Sequence, residues 1–157
     1  MPPRHGSGDA GVSEETLRRN FGKVHALHVA ALTRHLVECR QVCDGDLDLF
    51  LVMTIIGERT FTARKAPDNM SHADFSEGSV SDLEPAAINL QSIADYSGIP
   101  RETVRRKLRV LQDKGWVTKD DRNFMTVTDK AKANLNGLTE SSLKYLTELD
   151  SVLSRLD

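Results

Sequence analysis

The stretch Ser97-Gly98-Ile99-Pro100 constrains this chain more than any other four residues in it. On its N-terminal side Ala87, Ile88, Leu90, Ile93 and Ala94 recur at helical spacing. On its C-terminal side Val104, Leu108 and Leu111 mark the inward face of a second helix, Arg101 to Lys114. Glycine accepts a positive φ without steric cost, so Gly98 can end one helix and turn the chain sharply. Pro100 fixes the backbone where the next helix begins. Ile99 is placed to plug the angle between the helices, and the small Ala94 lets them approach closely. Gly115 then stops the second helix. Two short strand-like runs follow, Trp116-Val117-Thr118 and Phe124-Met125-Thr126-Val127, around the polar tip Lys119 to Asn123.

Two short helices crossing through a tight turn, followed by a hairpin, make a helix-turn-helix with a wing. Its second helix leaves Arg101, Glu102, Thr103, Arg105, Arg106 and Arg109 off the buried stripe. Between Arg101 and Arg122 eight Lys or Arg stand against four acids, a local charge of +4 in a chain whose formal net charge is −2. The whole-chain balance conceals a basic footprint of the kind a polyanion attracts. Side chains at the N-terminal end of such a helix reach base edges in a major groove, where Arg suits guanine.

The rest of the chain is expected to be mainly helical. Aromatic residues are only 5% of it, so the core must come from aliphatic side chains. Residues 1–12 read as a disordered tail. Ser13, with Glu14 and Glu15 behind it, starts a long helix that runs to about Cys43 with Leu17, Phe21, Val24, His28, Ala31 and His35 on one face. Asp44-Gly45-Asp46 breaks it. A second helix spans about Asp46 to Ala66 and is apolar almost all round from Leu47 to Ile56. That suggests more partners than a chain of 157 residues readily supplies, and so a second subunit. Residues 67–84 form a polar linker loop, 85–128 the winged motif, and 129–157 two further helices. Thr128 caps the first of these. The second, from about Glu140 to Leu156, carries Leu143, Leu146, Leu149, Val152, Leu153 and Leu156 on one side.

No enzyme constellation is present: there is no glycine-rich phosphate loop, nucleophile elbow or carboxylate pair. Asp44, Asp46 and Asp48 alternate as in a calcium loop, but no Glu stands at the twelfth position from Asp44 or Asp46, and they serve better to open a helix. His28, His35, Cys39 and Cys43 share one helix face. Such spacing suits zinc or a thiol sensor, against the simpler reading of a packing seam in which Cys acts as a small hydrophobe. No metal and no cofactor are expected. The longest apolar run, Leu49 to Ile56, is far below the roughly 20 residues of a membrane span, and the first residues lack a secretory pattern. A cytoplasmic protein is the expectation.

The run from Leu90 to Val117 resembles the winged helix-turn-helix of bacterial regulators such as MarR and GntR. Shared features are Ile-Ala, Gly-Ile, Thr-Val-Arg, paired Leu, and Gly before an apolar strand. Val127-Thr128-Asp129-Lys130-Ala131 is similar to the end of the MarR wing. The resemblance implies a homodimeric transcriptional regulator that binds double-stranded DNA, with flanking N- and C-terminal helices as the dimer interface. Arg101, Thr103, Arg105, Arg106 and Arg109 would meet the major groove, Arg122 the minor groove, and Gln91 and Ser92 phosphates. A small-molecule effector is a further partner such regulators take. Two alternatives stand beside it: a winged-helix adaptor that docks proteins without DNA, and a metal- or thiol-responsive regulator with the same fold.

Overall fold

A computed structural model describes residues 11–62, 69–79 and 88–156, without the side chains of 60–62. The expected tail thus lies outside the described residues up to position 10, as do parts of the linker and the first residues, 85–87, of the expected motif. The elements are α1 (Glu14–Arg19), α2 (Phe21–Val42), α3 (Leu47–Thr62), α4 (His72–Glu77), α5 (Leu90–Ser97) and α6 (Arg101–Asp113). They continue with β1 (Val117–Lys119), β2 (Met125–Val127) and α7 (Asp129–Leu153). The fold is mainly α, with a helix-turn-helix and a two-stranded antiparallel wing. The chain divides into two compact units, Met1–Leu36 with Glu140–Asp157, and Val37–Thr139.

In the first unit the expected single N-terminal helix is two. Asn20 interrupts it: its amide side chain donates to the Thr16 carbonyl at 3.0 Å, its backbone N–H goes to Thr16 and Arg18, and its φ of −102° leaves the helical range. A side chain that competes for helix carbonyls ends the ladder locally. Ser13 caps α1 as expected, its hydroxyl accepting from the Thr16 amide at 3.2 Å. Between α2 and the C-terminal part of α7 runs a polar seam. His28 Nδ1 and the Tyr145 hydroxyl lie 2.8 Å apart, His35 Nδ1 and Ser141 Oγ 2.9 Å, and Arg34 pairs with Glu148. Ala31 is buried, whereas Phe21, Val29, Leu36, Leu143 and Leu146 are exposed. The expected break near Glu140 is absent. No proline interrupts the stretch, and Gly137 accommodates the helical backbone, so α7 is continuous.

The second unit holds the main core. Leu49, Val52, Met53, Ile55 and Ile56 of α3 pack with Ile93, Ala94, Ile99, Val104, Leu108, Leu111, Trp116, Val117, Met125 and Val127. α3 finds within its own chain partners that its apolar run predicts from a second subunit. Its apolar girth is covered by α5, α6 and β2 of the same chain, although Leu47 and Leu51 remain exposed. The linker expectation changes too. Ser71 and Asp74 form a capping box, each side chain serving the other's backbone amide, and α4 follows. Lys132 holds its C-terminal end, with Nζ donating to the carbonyls of Phe75 at 3.0 Å and of Gly78.

Candidate nucleic-acid interface

The helix-turn-helix is built from local rules. The Asn89 side chain accepts from the Ser92 amide at 3.0 Å and opens α5. Gly98 closes it at φ 70°, its N–H donating to Ala94. Pro100 stands just before α6 with φ −53° and ψ 134°. Val104, Leu108 and Leu111 are the buried stripe of α6. Gly115, at φ 70°, ends it in a Schellman arrangement: Trp116 N–H donates to Leu111 and Gly115 N–H to Gln112. The wing then pairs Val117 with Val127, Thr118 with Thr126 and Lys119 with Met125. The Met125 amide also donates to the Ile88 carbonyl at 2.8 Å, which ties β2 to the segment leading into α5. Thr128 fastens the exit, donating to the Gly115 carbonyl at 2.7 Å and accepting from the Ala131 amide.

These elements enclose an open groove of about 570 Å³ between α6, the wing and the start of α5. Arg101, Arg105, Arg109, Lys119 and Arg122 line it with Asn89, Gln91, Gln112 and Asn123, over a floor that includes Leu90, Leu108 and Met125. Five cations and, among the described residues, no carboxylate share this wall. In a concave surface with an apolar floor, charges of one sign reinforce each other and concentrate a polyanion.

Of the residues expected to touch DNA, Gln91, Arg101, Arg105, Arg109 and Arg122 gather on this groove. Thr103 and Arg106 do not; they sit together on α6 outside it, Arg106 Nη2 donating to Thr103 Oγ1 at 3.3 Å. Ser92 is exposed at the start of α5 but outside the groove wall, its hydroxyl turned to Asn89. Gln91 is committed in part, its amide donating to Asp95 at 2.7 Å. Arg105 is half-buried and paired with Glu102, which sits exposed on the first turn of α6. Lys119, Gln112, Asn89 and Asn123 were missed. Lys119 counted only toward the local charge, because its place on the groove follows from the wing register and not from its neighbours in sequence.

The local charge of +4 also needs correction for two cations that serve the fold. Lys107 pairs with Asp46, and Lys114 with Asp44 at 2.7 Å while its ammonium stands 5.0 Å from the Trp116 ring centre. Both acids lie in the turn between α2 and α3, where Asp44 and Gly45 have positive φ. Asp46 also caps α3 by accepting from the Leu49 amide at 2.9 Å. Burial works to raise its pKa, but Lys107 and the amides of Leu49 and Asp48 outweigh it and hold the carboxyl below its ordinary value.

The sulfur and imidazole groups take other places. Cys39 and Cys43 are fully buried thiols that are not joined in a disulfide. Burial, then the neighbouring Cys43, pushes the Cys39 thiol up to about 11, and burial pushes Cys43 up as well. A buried thiol that stays protonated is a poor nucleophile and a poor sensor. His28 and His35 face Tyr145 and Ser141, and among the described residues no three metal-ligating side chains group together. Among them, too, no helix is long and apolar enough to cross a membrane.

No curated protein and no solved structure matches the chain. Residues 69–132 match the family model of the Crp-like helix-turn-helix domain. The match supports a winged helix-turn-helix regulator and does not carry the finer MarR assignment. It reaches from α4, in the expected linker, through both motif helices and the wing to the first turn of α7. Every element of the cationic groove therefore falls inside a segment similar to the Crp-like helix-turn-helix domain.

Proposed function

We propose that this chain is a sequence-specific double-stranded DNA-binding regulator of transcription that works as a homodimer. The observation that carries the reading is the groove beside a helix-turn-helix that five cations line and, among the described residues, no carboxylate. In this reading α6 enters the major groove. Arg101, Arg105 and Arg109 act from the groove side, and Thr103 and Arg106 from the outer side of the same helix. Arg122, at the wing tip, meets the minor groove. Gln91 and Ser92, at the start of α5, meet phosphates. The homodimer forms through the N- and C-terminal helices in the manner of MarR regulators. Its support is the apolar surface left by Phe21, Val29 and Leu36 on α2 and by Leu143 and Leu146 on α7. Large apolar side chains clustered on exposed faces favour association. A two-fold dimer would read two half-sites one helical turn apart or a multiple of it. No catalytic step is assigned to the chain. Selection of bound sequences from random duplex DNA tests the proposal: a palindromic pair of half-sites supports it, and no enrichment above background overturns it in favour of a protein-docking winged helix.

A further inference from the structure

The wing tip carries two adjacent acids, Asp120 and Asp121, directly beside the cations that the groove uses. By charge alone both oppose a polyanion. The hydrogen bonds give Asp120 a different part. Its Oδ1 accepts from the Arg122 amide at 2.9 Å and from the Phe124 amide at 2.8 Å. Its own N–H donates to the Phe124 carbonyl, and its carbonyl accepts from the Asn123 amide, both at 3.0 Å. Asn123 has φ 65°. This is a three-residue hairpin loop, a turn followed by one left-handed residue, of a kind that joins antiparallel strands. The side chain of Asp120 locks it from inside.

We infer that Asp120 is a positioning residue for DNA recognition: it fixes the wing tip so that Arg122 is presented to the duplex in one geometry. The inference rests on the reading of the groove as a DNA interface. A loop held in its binding geometry before contact loses less freedom on binding, and the gain appears as affinity. Both amides are served by one oxygen, Oδ1, so a neutral side chain that keeps one such oxygen can still close the turn, with somewhat weaker bonds. An asparagine keeps the acceptor and drops the charge; an alanine drops both. The two variants carry the same net charge and differ only in the lock.

The test is a fluorescence titration of a duplex selected for the parent, with Asp120→Asn and Asp120→Ala, each with and without Arg122→Ala. Asp120→Asn binds at least as tightly as the parent. Asp120→Ala binds about tenfold more weakly than Asp120→Asn, the size expected when two ordinary hydrogen bonds at the tip are lost. Arg122→Ala weakens binding in the parent and in Asp120→Asn, and adds little in Asp120→Ala, because the arginine there is no longer held. Slowed hydrogen exchange at the Arg122 and Phe124 amides persists in Asp120→Asn and is lost in Asp120→Ala, which reports the lock without DNA. Equal affinity of the two Asp120 variants overturns the inference, as does an undiminished Arg122→Ala effect in Asp120→Ala. If the parent itself binds no duplex, the DNA reading fails first and takes this inference with it; if the parent binds and the variants agree, only the positioning role falls.

Discussion

Gly98 shows how a single residue places the helix that carries the cationic groove. It ends α5 at φ 70°, and beyond its own atoms and its two chain neighbours no atom lies within 4 Å of where a Cβ would stand. A side chain there meets a backbone penalty and no clash. Gly98→Val therefore lowers stability by about 1–3 kcal/mol, the cost of forcing a β-branched residue into that region. Gly98→Asn costs less, because Asn tolerates the left-handed conformation. Thermal melts of the two variants check this, and equal losses would contradict it. This position was legible in the sequence, as were Ala94, Ile99, Gly115 and the buried stripe of α6, because each follows from a rule that acts over a few residues. The site was legible in the same measure. Arg101, Arg105 and Arg109 could be placed from helical periodicity, whereas Lys119 and Asn123 depend on the pairing of β1 with β2, and no local pattern announces that register.

At the scale of elements two departures from the sequence reading have different causes. α3 looked like an interface helix because its apolar residues surround it. Only the folded unit shows α5, α6 and β2 supplying the partners. α4 lies in a polar stretch without apolar periodicity, and its one local signal is the capping-box spacing of Ser71 and Asp74. The turn before α3 is an element-scale device with its own test. Asp46 caps α3 and pairs with Lys107 of α6. Asp46→Ala lowers stability by about 1–3 kcal/mol, since a cap is lost and a mostly buried ammonium is left alone. Asp46→Asn costs less because it keeps an acceptor for Leu49. The sign of the pH effect is fixed. The folded pKa lies below the ordinary 3.8, so the contribution is present above that value and is lost as pH falls through the folded pKa. Urea midpoints taken from neutral pH downward fall less steeply for Asp46→Asn than for the parent. Parallel curves would show that the pair adds nothing.

For the whole molecule the net charge of −2 is a poor guide, because the cations that matter are gathered on one groove while many acids lie elsewhere. The apolar faces raise the question of assembly. Leu143 and Leu146 are exposed on α7, and replacing both with Glu leaves the chain folded, within about 0.5 kcal/mol per site as for other surface positions. In light scattering the parent has the mass of a dimer and the double variant that of a monomer. A monomeric parent would contradict the proposed dimer. The central claim, that α6 and the wing form a DNA interface, is tested most directly by titrating a selected duplex with the parent and with the Arg101→Ala, Arg105→Ala, Arg106→Ala triple variant at several salt concentrations. The expected result is a folded triple variant whose affinity falls about a hundredfold or more and whose salt dependence is shallower by roughly 0.9 for each phosphate contact removed. A folded triple variant that binds as tightly as the parent, with the same salt dependence, would contradict it.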